Sequence, residues 1–103
     1  MSRPFSYNDE NFTVIGNVLF VHLKYEDEAK SNTRLIEIPP AIYDRLLILT
    51  CFADIVYSKS TKATGSEVIS VVDYDGKHYL SNAWSISAET DRYIFGIFML
   101  KDI

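Results

Sequence analysis

One thiol, Cys51, and two imidazoles, His22 and His78, are the side chains best suited to nucleophilic or acid–base chemistry near neutral pH. A Cys–His nucleophile needs the sulfur beside an imidazole in a partly exposed, electropositive setting. Cys51 instead sits between Thr50 and Phe52 in an apolar run, without a cysteine-hydrolase signature around it, and reads as a core or interface residue. His78 is better placed. An Asp75-Gly76 turn would set Asp73 across from it, and a carboxylate beside an imidazole can orient a general base. No Ser or Cys joins that pair by any spacing argument, so a surface ion pair is the simpler reading. His22 shares a strand face with Val18, Phe20 and Lys24 and reads as a rim residue.

Other chemistries find little support. Zinc needs three or four ligands at characteristic spacing, which one Cys and two scattered His do not provide. The Glu26-Asp27-Glu28 run lacks the Asx–Gly order of a calcium loop. The four glycines are isolated, so no phosphate-cradling loop is formed; Lys59, Lys62 and Gly65 fit a solvated loop as well as an anion contact. Nucleic-acid binding asks for a basic face, whereas ten Lys and Arg are spread thinly against fourteen Asp and Glu, for a net charge of −4. Exposed Tyr near Lys77 and Arg92 would be the best place for it. The expectation is therefore no catalytic residue, no cofactor and no metal.

The elements that position these residues follow from turn and breaker signals. Residues 1–11 are polar and read as an N-terminal arm that Phe5 and Tyr7 could pin to the body. Phe12 to Tyr25 is rich in β-branched and aromatic residues and is interrupted by Gly16-Asn17, which predicts two short strands around a turn, or one bulged strand. Residues 26–33 read as an acidic loop and Arg34 to Ile38 as a strand. Pro39-Pro40 ends that strand and suits the first turn of a helix. The helix is predicted over about 41–57. It is apolar almost all round: Ile42, Leu46, Leu49, Ala53 and Val56 form one stripe, and Ile48, Cys51 and Ile55 fall opposite. A competing reading makes Leu46 to Phe52 a buried strand, since periodicity cannot separate the two. Residues 58–66 read as a loop. Asp75-Gly76 between apolar runs predicts a hairpin pairing Tyr74 with Lys77, Asp73 with His78 and Val72 with Tyr79. A turn at 89–91 precedes a last strand, Arg92 to Leu100, apolar on both faces and so central in a sheet or at an interface.

This order predicts a single α+β domain: an antiparallel sheet of five or six strands, β-β-β-α-β-β-β, with one central helix packed on one face. One cysteine excludes an intrachain disulfide and favours a reducing, cytoplasmic setting; the polar residues 1–10 are expected not to act as a signal peptide, and no apolar run of about 18 residues occurs. The surplus of apolar faces points to a noncatalytic protein-binding module, masking a partner as an inhibitor, immunity-type or phage accessory protein does. The partner would be another protein, basic if the acidic loops steer it, or a second copy in a homodimer, with no membrane and no nucleic acid. The interface is expected at Ile48, Cys51, Ile55, Tyr93 and Phe95, with Glu26, Asp27 and Glu28. A nucleic-acid-linked regulator and a small enzyme or ligand-binding domain using Cys51 and His78 are the alternatives.

Overall fold

Two tight turns fold as their residues require. Asp75 (φ 52°) and Gly76 (φ 78°) both take the left-handed conformation of a type I′ hairpin turn. Gly16 has φ 63° and serves as the first central residue of the other turn. In the computed structural model, which describes residues 5–25, 34–57, 64–81 and 92–101, these turns belong to a sheet that is antiparallel throughout. The strands are β1 (Tyr7–Asn8), β2 (Phe12–Ile15), β3 (Val18–Tyr25), β4 (Arg34–Glu37), β5 (Thr50–Tyr57), β6 (Thr64–Tyr74), β7 (Lys77–Ser81) and β8 (Arg92–Met99). They lie in the order β1-β2-β3-β8-β5-β6-β7-β4 and curl into an eight-stranded half-barrel.

The expected α+β architecture with a central helix over 41–57 is therefore incorrect. Among the described residues only Pro40–Tyr43, α1, is helical, a single turn opened by the proline pair. The chain then turns through residues 44–49 and enters β5, which is hydrogen-bonded to β6 on one edge and β8 on the other. A central strand explains the apolar pattern that resembled a buried helix, because both of its faces can meet apolar neighbours. Within β5, Cys51 and Ala53 turn inward while Phe52 and Asp54 turn outward. The competing strand reading was nearer the outcome, although its span was shifted.

Several finer expectations agree with the structure. β6 and β7 pair in the expected register, Tyr74 with Lys77, Asp73 with His78 and Val72 with Tyr79. β8 is central, between β3 and β5. Phe5 and Tyr7 do pack on the core, and Tyr7–Asn8 adds a short edge strand where only an arm was expected. Thr64–Ser66, expected in a loop, extend β6. The expected loops at 26–33 and 58–63, with Lys59 and Lys62, and the turn at 89–91 lie outside the described residues.

The core occupies the inner face of the curl. Phe12, Leu19, Val21, Leu23, Ile69, Leu80, Ile94 and Phe98 are all buried there. Ile42 of α1 is fully enclosed, and Leu46 beside it is bridged to Leu100, so the segment after β4 plugs the inner face where a longer helix was expected. Gly96 stands opposite Ala53, with Cys51 beside it. A Cβ at Gly96 would lie 3.2 Å from the Cys51 sulfur and 3.6 Å from the Ala53 Cβ. Gly96→Ala should therefore destabilise by about 1–2 kcal/mol through overpacking. Most of that cost should vanish in a Cys51→Ala background, a coupling that chemical denaturation of the four variants would measure.

Candidate functional site

Among the described residues, the inner-face groups Cys51 and His78 are not brought together. Cys51 stands opposite Ile69 on β6, and His78 stands opposite Asp73 on the same strand. The two are thus separated by the width of β6 and by four residues along it, roughly 16 Å. His22 is on the opposite, outer side of the sheet. Burial pushes the Cys51 thiol up to about 11, against which a hydrogen bond with the Ile97 backbone pulls more weakly. A thiol held neutral is a poor nucleophile near neutral pH.

His78 does meet Asp73, Nδ1 to Oδ1 at 2.5 Å, as the hairpin register demands. Its ring lies flat on Tyr43 of α1, with centroids 3.5 Å apart, and its carbonyl accepts the Ile38 N–H. The shallow cleft here, about 180 Å³, is lined by Tyr43, Asp44, Glu37 and Lys77 among others, and holds no Ser or Cys. Glu37 and Lys77 are themselves 3.8 Å apart. This cluster clamps α1 to the hairpin. Lys77 and Arg92, considered with nearby Tyr for nucleic acid, do not share a corner: Lys77 stands opposite Tyr74 at the hairpin end of β6, and Arg92 opposite Tyr57 toward its other end. Tyr74 is engaged instead by the Arg34 guanidinium, which covers its ring at 3.7 Å, and it meets Tyr79 edge-on. Among the described residues, no group of three or more His, Cys, Asp or Glu could hold a metal ion, and no helix is long and apolar enough to cross a membrane.

The outer face of the sheet is a different matter. Strand registers align its residues in tiers that cross the strands. One tier runs Thr13, Phe20, Ile97, and, continuing the β5–β8 register by one step, Phe52 and Val68. The next tier toward one end holds Ile15, Val18 and Met99. The next toward the other holds His22, Phe95, Asp54 and Ser66. Ile15 is 65% exposed and Phe52 76%, and Val68, Phe95, Ile97 and Met99 are each more than 40% exposed. The Phe20 and Phe95 rings touch across β3 and β8, with centroids 6.2 Å apart. Polar groups flank this apolar centre: Lys24 over the Tyr93 ring, and Asp54, which accepts the Ser66 hydroxyl. Beyond one end of the face, Leu47, Ile48 and Leu49 add further exposed apolar surface.

The expected interface residues scatter across this arrangement. Phe95 lies at the centre of the outer face, and Tyr93, half-buried, at its margin. Ile48 is exposed ahead of β5, while Cys51 faces inward and is half-buried, so the two do not share a helix face. Ile55 stands opposite Ile94, but its side chain lies outside the described residues, as do Glu26, Asp27 and Glu28. Sequence reasoning missed Ile15, Phe52, Val68, Ile97 and Met99. Alternation groups Phe95, Ile97 and Met99 on one face of β8 opposite Ile94 and Phe98, but with both faces apolar it does not say which one is covered.

Comparison with protein-family models, with curated proteins and with solved structures yields no match in any of the three. What fold and site define is an antiparallel half-barrel with a packed inner face and an open apolar outer face.

Two measurements probe this assignment of faces. Ile69→Ala should cost roughly 3 kcal/mol by opening the core, whereas Phe52→Ala should change stability by less than about 1 kcal/mol, both read from urea unfolding. Because the Cys51 thiol is held protonated in the folded chain, the stability it confers is present below its ordinary value of 9.0 and is lost as pH rises toward 11. The difference in stability between the native chain and Cys51→Ala should therefore shrink across that window.

Proposed function

We propose that this chain is a noncatalytic protein-binding module whose outer sheet face is covered by another polypeptide. The observation that carries the reading is the contiguous apolar surface spanning β2, β3, β8, β5 and β6, centred on Phe52, Phe95 and Ile97. Exposed apolar patches on monomers seldom exceed a few hundred Å², and larger ones with polar rims mark contact sites. Aromatic and methionine side chains at the centre with charges at the margin match the anatomy of protein interfaces. Such a contact suits a protein that acts by masking its partner, as inhibitors and immunity-type proteins do, and a single cysteine suits work in a reducing, cytoplasmic setting.

Capture with the tagged native chain in its source cell, beside tagged Phe52→Asp and Ile97→Asp, tests this. The native bait should retain a polypeptide, untagged copies of itself included, that both variants lose while keeping the native circular dichroism. Equal recovery by all three baits, or recovery of nothing, would overturn the reading.

A further inference from the structure

The open face also carries charge in an arrangement that says which polypeptide covers it. His22, Phe95 and Asp54 occupy one tier on three adjacent strands, β3, β8 and β5. An imidazole therefore lies on one side of the central aromatic and a carboxylate on the other, about one strand spacing away in each case. Resting on the reading above, we propose that the partner is a second copy of the chain, packed outer face to outer face about a two-fold axis parallel to β8.

That axis sets β8 over its own mate and β3 over the partner's β5. Each copy's His22, with Lys24 behind it, then meets the other's Asp54, while Phe95 and Ile97 pack on their symmetry equivalents. The contact is isologous, with the same patch used twice. An axis at right angles to β8 through Ile97 gives a worse result. It would lay His22 against the apolar Val18 tier and take Asp54 away from both His22 and Lys24. The area is adequate as well. The exposed apolar side chains offer on the order of 700 Å² per copy, close to the ~800 Å² that each side of a standard interface buries. Aligned sheets of this kind pack about 10 Å apart with interdigitating side chains, as in a sandwich.

Sedimentation of the full chain should show a dimer at low micromolar concentration, and Ile97→Asp should convert it to a folded monomer. Asp54→Lys should weaken the dimer roughly three- to tenfold by removing the carboxylate that faces His22 and setting an ammonium toward the other copy's Lys24, and the double variant His22→Asp/Asp54→Lys should restore it. Ile97→Cys in a Cys51→Ala background should cross-link to its mate with a short bis-maleimide, whereas Asp75→Cys at the hairpin tip should not. A dimer indifferent to Ile97→Asp would overturn both this proposal and the docking role of the face. A native chain that stays monomeric at 100-fold higher concentration would overturn the second copy alone, provided that it binds a hydrophobic fluorophore that Ile97→Asp does not. If the monomer binds none, the docking role fails with it.

Discussion

The pairing of β8 with β3 on one side and β5 on the other holds the sheet together. Without it the strands fall into two groups, β1-β2-β3 and β5-β6-β7-β4. The β3–β8 ladder runs the full length of both strands, and the β5–β8 ladder joins five residue pairs. The same strand carries Ile94 and Phe98 into the core and Phe95, Ile97 and Met99 out of it. One strand therefore fixes the register of both halves and the composition of both faces. Gly96 marks where the inner wall is tightest, its missing Cβ leaving room for the Cys51 sulfur.

This arrangement explains why the molecule has apolar surface to spare. A half-barrel has one enclosed side, and here α1 and Leu46 close it. The opposite side cannot reach the core whatever its residues, so apolar groups placed there meet water or another chain. Tyr93 and Lys24 at its margin are already engaged with one another, which leaves the centre as the open part. The outer face is thus a property of strand alternation in β3, β5, β6 and β8 taken together, not of any one segment.

Much of this was legible from residue types alone. Asp75-Gly76 announced its turn and the hairpin register followed residue for residue, while Gly16-Asn17 was read as a turn or a bulge and β8 as central or at an interface, and in each case the first alternative holds. Segment 41–57 was not. Its apolar residues suit a buried helix and a doubly covered strand equally, and what decides between them is the hydrogen bonding available from β6 and β8, strands that lie later in the chain. The surplus of apolar surface was inferred for the wrong element. Ile48 and Cys51 do not lie together on a helix; the surface sits on the sheet, with Phe95 the one residue common to the expected interface and the exposed centre. Phe52 and Ile97 escaped notice because a strand apolar on both faces does not reveal which face its own fold will cover.

The position of β8 in the chain has a consequence for synthesis. It is the last of the described strands to leave the ribosome, yet it belongs in the middle of the sheet. Until it emerges, β3 and β5 each present an unpaired edge flanked by apolar side chains, the condition that invites strands of neighbouring nascent chains to pair instead. Closing the gap requires contacts between residues distant in sequence, which form slowly. The chain is therefore most exposed to misassembly until β8 has emerged, and a chaperone that shields open strand edges would act in that interval.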